Sequence, residues 1–166
     1  MRVVVSAATV SLLLCAGVVK AQLKGFGFGP YVERGWPAGN SSTTLKTGLG
    51  AGFSADIKLP AKLGLTGSVG FLHFGGRDVN TENGVVKSPA VNAFPLRAGL
   101  KFRPIPLLYF KMEAGTAKYT RGGESAFILS PGIGIRVLGI DLQGKYERWY
   151  DAPGTRFWGI RAGLNL

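Results

Sequence analysis

The sequence predicts an all-β protein, an eight-stranded antiparallel transmembrane β-barrel (an up-and-down meander) preceded by a cleavable signal peptide. The first observation is an alternation of apolar with polar or glycine residues, with period two, from about Leu23 to Leu166. In residues 140–147, one face carries Ile, Leu, Gly and Tyr, and the other carries Asp, Gln, Lys and Glu. The second observation is that every strand has an apolar face, yet no helix or second layer is predicted that could cover these faces. Lipid is the simplest cover, because a membrane-spanning barrel turns its apolar faces outward.

The first residues are typical of an export signal. Met1 and Arg2 form a short positive start, and residues 3–19 are apolar and small. A membrane-spanning helix needs about 17 to 25 apolar residues, and this stretch is short and interrupted by Ser6 and Lys20. We therefore expect a removable signal peptide.

The end of this segment sets the predicted domain boundary. Val19-Lys20-Ala21 approximates the small-x-small pattern that signal peptidase recognises, which predicts cleavage between Ala21 and Gln22. We assign residues 1–21 to the signal peptide and residues 22–166 to one outer-membrane β-barrel domain.

Net charge and cysteine content describe the mature chain that the predicted cleavage would leave. The formal net charge is +11, and removal of Arg2 and Lys20 leaves a mature charge of +9. The single cysteine, Cys15, lies in the predicted signal peptide, so no disulfide is expected within the mature chain. Leu12-Leu13-Leu14 before Cys15 superficially resembles a lipoprotein processing site, although a small residue is expected where Leu14 stands. Lipidation of Cys15 is the alternative to an ordinary signal-peptide cysteine.

The alternation predicts strands that are long enough to cross a bilayer. In chain order they are 24–33, 43–58, 63–74, 90–102, 107–119, 126–137, 140–149 and 157–166. Short turns are predicted at 59–62, 103–106 and 138–139, and longer loops at 34–42, 75–89, 120–125 and 150–156. Short turns on one side and longer loops on the other are typical of outer-membrane barrels, whose turns are periplasmic and whose loops are extracellular.

Each strand in turn has an apolar face that we predict to contact lipid. These residues are Phe26, Phe28 and Val32; Leu45, Leu49, Phe53 and Ile57; Leu65, Val69 and Phe71; Phe94, Leu96, Leu100 and Phe102; Leu108, Phe110 and Met112; Phe127, Leu129, Ile133, Ile135 and Val137; Ile140, Leu142 and Tyr146; and Ile160, Leu164 and Leu166. Aromatic residues near the loop ends suit the interfacial girdle of such barrels. They are Trp36, Tyr119, Trp149, Tyr150, Phe157 and Trp158, of which Trp149 by parity could instead face inward.

The opposite face of the strands collects charge and predicts a lumen charge network. Its members are Glu33, Lys46, Asp56, Lys58, Arg97, Lys101, Lys111, Glu113, Arg136, Asp141, Lys145, Glu147 and Arg161. Since an eight-stranded barrel is only wide enough for side chains to fill its interior, mutually paired charges are the simplest interpretation. A conducting pathway is the alternative, because glycines that also point inward could leave a cavity. These are Gly25, Gly27, Gly29, Gly48, Gly50, Gly52, Gly132 and Gly134.

Basic residues near the loop ends could meet the phosphates of lipopolysaccharide or form a solvated rim. They are Arg34, Arg77, Lys87, Lys118, Arg121 and Arg156. Nucleic acid is not an expected partner, because the basic residues are divided between lumen and loops instead of lining an aromatic groove.

His73 is the sole histidine, so no metal site built from several histidines is expected, and no cofactor is implied. It lies near the outer end of its strand, where a lipid-A-modifying barrel enzyme would place catalytic groups. By parity, however, it follows Val69 and Phe71 on the outward face, and no serine motif stands beside it. We therefore expect an interfacial histidine and no catalytic residue.

Several segments resemble the outer membrane protein beta-barrel domain family, small barrels of the OmpA and OmpX kind. They are residues 94–102, 112–115 and 130–134 and the alternating C-terminal strand. The resemblance implies an integral protein of the bacterial outer membrane, without a defined common activity. The expected partners are outer-membrane lipid and the outer-membrane assembly machinery, and lipopolysaccharide is a further candidate because of the basic loop-end residues. We expect a monomeric, non-enzymatic protein with a structural or surface-interaction role. A lipid-A-modifying enzyme centred on His73 and a narrow transport channel are the alternatives.

Overall fold

The computed structural model describes residues 25–81, 84–150 and 154–166. The predicted signal peptide with its cleavage site and Cys15 lies outside these residues. The elements in chain order are β1 (Phe26–Pro37), α1 (Ser41–Thr44), β2 (Leu45–Lys58), β3 (Leu63–Gly76), β4 (Asp78–Thr81), β5 (Gly84–Lys87), β6 (Val91–Phe102), β7 (Leu108–Tyr119), β8 (Ser125–Val137), β9 (Ile140–Tyr150) and β10 (Arg156–Leu164).

Eight of these strands form a closed antiparallel barrel in the order β1-β2-β3-β6-β7-β8-β9-β10, and β10 pairs with β1. Apart from this closing pair, each barrel strand pairs with the barrel strand that precedes or follows it, so the predicted meander is confirmed. Closure leaves no barrel strand with a free edge, which in lipid is required of a membrane-spanning sheet. Within the described ranges, no helix is long and apolar enough to cross a membrane.

The barrel closes by pairing its first and last strands. The register of β1 and β10 runs from Tyr31 opposite Gly163 to Pro37 opposite Phe157. Beyond β10 the closure continues, because the backbone N–H of Phe28 donates to the Leu166 carbonyl and the Leu166 N–H donates to the Phe28 carbonyl, both at 3.1 Å. The last residues therefore complete the barrel wall.

The connections divide into short and long ones as predicted. Leu138 and Gly139 form a two-residue turn with φ of 49° and 84°, values typical of the turns that match the twist of paired strands. On the opposite side, the predicted loop 75–89 contains a separate two-stranded sheet, β4 paired with β5. Its sequence includes Val79, Val85 and Val86, and β-branched residues favour strands.

The outward face of the barrel is apolar. Burial alternates residue by residue along β1, and Val32, Leu96 and Leu100 are 62%, 60% and 55% exposed. The rings of Phe28 and Phe53, on neighbouring strands, stack at 5.9 Å on this surface. The predicted alternation of lipid-facing and lumen-facing residues is confirmed over most of the barrel.

The outer end of β2 departs from this alternation, and the prediction was wrong for Leu45 and Lys46. Leu45 pairs with Gly76 and Gly48 pairs with Phe74, so β2 has one extra residue between the two pairs. Such a bulge reverses the inside-outside parity of the strand beyond it. Leu45 is therefore buried inside the barrel, and Lys46 is exposed instead of joining the lumen charges.

Lys58 is also exposed, against the prediction of a lumen position. It is the last residue of β2, where the strand reaches the inner end of the barrel. Its side chain therefore meets the inner mouth instead of the packed interior.

Leu100 offers a direct test of the two faces. It pairs with Leu65 and Met112 within the apolar belt, so Leu100→Arg should destabilise the barrel by about 2 to 4 kcal/mol if this position is near the bilayer midplane. Leu100→Phe, which exchanges one apolar group for another, should stay close to wild type. The measurement is urea unfolding from micelles. Tolerance of arginine together with damage by phenylalanine would mean that the faces of β6 are exchanged.

Candidate functional site

The interior of the barrel is a stack of ion pairs, and Asp56 lies at the centre of its inner end. Asp56 Oδ2 accepts hydrogen bonds from Lys101 Nζ at 2.7 Å and from Asn165 Nδ2 at 3.0 Å. The Arg136 guanidinium binds the same oxygen, and Arg103 lies 3.7 Å away. One buried carboxylate thus lies close to three cations, which come from β6, from β8 and from the turn after β6.

A second carboxylate, Asp141, completes this inner layer. Arg136 Nε donates to Asp141 Oδ2 at 2.9 Å, and the Tyr109 hydroxyl donates to the other carboxylate oxygen. Lys101 Nζ lies 4.3 Å from the centre of the Tyr109 ring, close enough for a cation–π contact. The inner layer is therefore held by charge and by the face of an aromatic ring.

Glu33 and Glu113 form the middle layer around Arg161. Arg161 Nη2 donates to Glu33 Oε2 at 3.1 Å, and Arg161 Nη1 lies 3.7 Å from Glu113 Oε2. Lys111 Nζ lies 3.3 Å from the same Glu113 oxygen, and the Arg161 guanidinium covers the Tyr31 ring at 4.1 Å. Every charge in this layer therefore has an opposite charge within reach.

Glu147 organises the outermost charged layer. Its Oε1 accepts from Arg97 Nη2 and from the Trp149 indole N–H, both at 2.7 Å, and its Oε2 accepts from Lys145 Nζ at 2.6 Å. Lys145 Nζ also lies 2.7 Å from Glu33 Oε1, which joins this layer to the one beneath it. Glu147 has no exposed surface, so these contacts replace its hydration completely.

The structure brings together eleven of the thirteen charged residues that the sequence analysis assigned to the lumen network, and the exceptions are Lys46, displaced by the bulge, and Lys58 at the inner mouth. The eleven are Glu33, Asp56, Arg97, Lys101, Lys111, Glu113, Arg136, Asp141, Lys145, Glu147 and Arg161. The sequence showed which residues face inward, but not which of them pair.

The inward glycines make room for large side chains instead of leaving a channel. A Cβ atom on Gly134 would lie 2.3 Å from the Tyr109 hydroxyl, and one on Gly52 would lie 2.7 Å from the Tyr31 hydroxyl. The cavity that remains among the lumen charges has a volume of about 10 Å³, roughly what one water molecule needs. The interior of the described barrel is therefore sealed.

An apolar plug closes the lumen above the charged layers. Its centre is Trp149, whose ring contacts those of Phe74, Phe157 and Tyr119 at 6.5, 6.1 and 5.7 Å. The other members are Leu45, Leu72, Ala93, Ala117, Ala126 and Ile128, all buried. The assignment of Phe157 and Tyr119 to the interfacial girdle was wrong, because Phe157 shares the inward parity of Arg161 and is fully buried, and half-buried Tyr119 packs against the plug. The Trp149 side chain is fully buried and faces inward, which is the alternative that its parity allowed.

Both ends of the barrel are blind pockets. The outer pocket, of about 480 Å³, lies above the apolar plug and is lined by α1, the start of β6 and Gly154-Thr155. The inner pocket, of about 630 Å³, has Asp56, Arg103 and Arg136 in its wall. The sealed layers separate the two, so a molecule bound at one end has no open path to the other.

The outer rim is aromatic and basic. Trp36, Tyr150 and Trp158 face outward with exposures of 37%, 48% and 60%, as the girdle prediction requires. The same end of the barrel carries exposed cations, and among the described residues these include Arg34, Lys46, Arg77, Lys118, Arg121 and Arg148, against the exposed acids Asp78 and Glu124. The side chain of Lys87 lies outside the described part. The rim is thus an accessible surface with excess positive charge.

His73 lies on the outward face, as expected from parity. It pairs with Asn92 on β6, and its Nδ1 is hydrogen-bonded to the Asn92 side-chain oxygen. Ser68 and Ser130 are buried on the other side of the barrel wall. No cluster of three or more His, Cys, Asp or Glu residues that could hold a metal occurs within 25–81, 84–150 and 154–166.

No family model and no curated protein matches the sequence. Solved structures do match. The Yersinia pestis outer membrane protein Ail in a phospholipid bilayer nanodisc is similar with a TM-score of 0.57 and 13% identity, over 86% of this chain and 100% of Ail. A de novo designed transmembrane β-barrel gives a TM-score of 0.55 and 16% identity, over 84% of this chain and 95% of the design. Ail in complex with the heparin analogue sucrose octasulfate gives a TM-score of 0.53 and 15% identity, over 86% of this chain and 97% of Ail. The chain has the fold of a small transmembrane β-barrel.

Proposed function

We propose that this chain is an integral protein of the bacterial outer membrane that acts without catalysis, through its outer surface. The observation that supports this most strongly is the sealed interior beneath an apolar outer belt. Ion pairs and the apolar plug fill the lumen, so the groups that a partner can reach lie at the two ends and on the wall. The outer end has the longer connections, which in outer-membrane barrels carry the contacts with the surroundings.

The outward face of the barrel wall supports a location in a lipid bilayer. Outward aromatic residues at the outer end suit the bilayer interface, and the apolar side chains below them suit hydrocarbon. The likeness to Ail and to a designed transmembrane barrel supports this location. We propose insertion by the outer-membrane assembly machinery, and a monomer, since a closed barrel offers no strand edge for association.

The alternatives have less support. A transport channel would need an open path, whereas the cavity among the lumen charges has room for about one water molecule. A lipid-A-modifying enzyme centred on His73 would need a nucleophile nearby, whereas Ser68 and Ser130 are buried on the opposite side of the wall. We therefore favour a surface-interaction role.

The partner that suits the outer rim is anionic. Ail has been crystallised with the heparin analogue sucrose octasulfate, and among the described residues the rim of this chain carries excess positive charge. Lys118 and Arg121 lie at the outer end of β7, both exposed. Charges on this surface attract a polyanion over about 10 Å at moderate salt, and the attraction weakens as salt is raised.

We expect purified protein in nanodiscs to bind sucrose octasulfate in a salt-dependent way. Lys118→Gln/Arg121→Gln should weaken this binding by about tenfold, as the loss of two exposed ionic contacts predicts. Lys58→Gln/Lys62→Gln removes the same charge from exposed positions at the inner end and should leave binding close to wild type. Titration calorimetry at two salt concentrations measures both. Equal losses in the two variants would show that net charge, and not the outer rim, determines binding.

A further inference from the structure

Two arginines lie directly opposite each other on the outer wall of the barrel. Arg148 on β9 pairs with Arg156 on β10, next to the pair of Tyr146 and Trp158 on the same outward face. Like charges directly opposite each other on neighbouring strands repel. No carboxylate among the described residues lies within ion-pair distance of either guanidinium. A shared anion would turn this repulsion into two charge-assisted contacts.

A groove in the lipid-facing wall begins just below these arginines. It has a volume of about 740 Å³, and its walls include Trp36, Trp158, Tyr146, Ile160, Ile133 and Phe110. Gly144 lies in its floor between Ile160 and Ile133. A Cβ atom on Gly144 would have no neighbour closer than 4.0 Å, so the missing side chain leaves open space on the outside of the barrel. An apolar groove that faces hydrocarbon suits an acyl chain.

The arginine pair and the groove are spaced like the headgroup and an acyl chain of one lipid. Arg148 follows Tyr146 by two residues and Arg156 precedes Trp158 by two, which places both backbones about 7 Å above the aromatic end of the groove. Tyr and Trp side chains lie at the headgroup level of a bilayer. A lipid with its chain in the groove would therefore bring its headgroup to the arginines.

The charge of the pair indicates which headgroup fits. A phosphate monoester carries a charge of about −1.5 to −2 near neutral pH, whereas the phosphodiester of a phospholipid carries one negative charge. Two arginines match the monoester, and bidentate guanidinium contacts suit its oxygens. Lipid A of lipopolysaccharide combines phosphate monoesters with several acyl chains in the outer leaflet.

We propose that this wall binds one lipid A molecule, with a phosphate between Arg148 and Arg156 and an acyl chain in the groove over Gly144. The inference rests on the proposed function, which places this end of the barrel in the outer leaflet. It names a site on the wall that shares Arg148 with the outer rim but does not include Lys118 or Arg121.

The test is native mass spectrometry of the purified barrel in detergent, titrated with lipid A and with dephosphorylated lipid A. Arg148→Gln/Arg156→Gln should weaken binding of lipid A by about tenfold or more, as expected for two charge-assisted contacts. Gly144→Leu adds a side chain to the groove at a position where a Cβ atom has no neighbour closer than 4.0 Å, and it should also weaken binding. Lys58→Gln/Lys62→Gln should bind as wild type does, and dephosphorylated lipid A should bind weakly to every variant. Migration that changes on heating in a detergent gel shows that each variant is folded.

Equal binding of lipid A to wild type and to the arginine variant would overturn the proposal. So would equal binding of the two lipids, or weakening by the arginine variant without any effect of Gly144→Leu, because the chain and the phosphate must then bind elsewhere. Lipid binding by the purified protein does not depend on its cellular location. A failure here with the protein still exposed on intact cells overturns this inference alone, whereas absence from the cell surface overturns the proposed function.

Discussion

Glu147→Leu is expected to destabilise the barrel by about 3 to 5 kcal/mol, the usual cost of removing one partner from a buried ion pair. Lys145 would keep Glu33 Oε1 at 2.7 Å, but Arg97 would retain only the same Glu33 oxygen, at 3.8 Å. The Arg97 side chain has no exposed surface, so water cannot replace the lost carboxylate. The shift in the urea midpoint for unfolding from micelles measures the effect.

A double variant separates the loss of the ion pair from the loss of packing. Glu147→Leu/Arg97→Met removes both charges and replaces them with apolar groups, an exchange that is often neutral or stabilising for buried pairs. We expect it to be more stable than Glu147→Leu alone. If the two substitutions were additive and the double variant were the least stable protein, the pairing of Arg97 with Glu147 would be wrong.

Trp149→Ala as a single substitution should lower the free energy of unfolding by about 3 to 5 kcal/mol, as is typical when a large aromatic side chain is deleted from a packed interior. Trp149 contacts three other rings in the apolar plug and has no exposed surface. Trp149→Phe keeps a ring there but loses the indole hydrogen bond to Glu147, which should cost about 1.5 to 3 kcal/mol for a bond to a charged group.

Trp158→Phe is the matched control, because Trp158 is 60% exposed on the outward face and the exchange keeps an apolar ring toward lipid. It should unfold close to wild type under the same conditions. A larger effect at Trp158 than at Trp149 would place Trp149 outside the lumen and remove the apolar plug.

Strand number, order and facing could be predicted because a side-chain period of two links sequence position directly to one face of a sheet. This link between position and face is lost where the period is interrupted. At Lys46 one extra residue enters β2 between Leu45 and Gly48, and Lys-Thr there is as compatible with a regular strand as with a bulge. Phe157, by contrast, has the same parity as Arg161, so the alternation itself predicts the inward position that the structure shows.

The partners of the lumen charges could not be predicted, because they depend on the tilt and stagger of strands across the barrel. Arg97 on β6 binds Glu147 on β9, 50 residues further along the chain, and Lys101 binds Asp56, 45 residues before it. Sequence alternation places all four inside but contains no information on height. The opposed pair of Arg148 and Arg156 likewise appears only once the register of β9 and β10 is known.

Protease cleavage of intact cells tests the central claim most directly, that a sealed barrel presents its longer connections to the outside. Gly122 and Gly123 are exposed in the turn after β7, and exposed loop tips tolerate insertions. A protease site inserted there should therefore be accepted and cut on intact cells. The same site between Ala61 and Lys62, in the exposed short turn after β2, should be cut only after the outer membrane is made permeable. Cleavage at Ala61 and protection at Gly122 would mean an inverted barrel, and protection of both sites on intact cells would contradict the surface location.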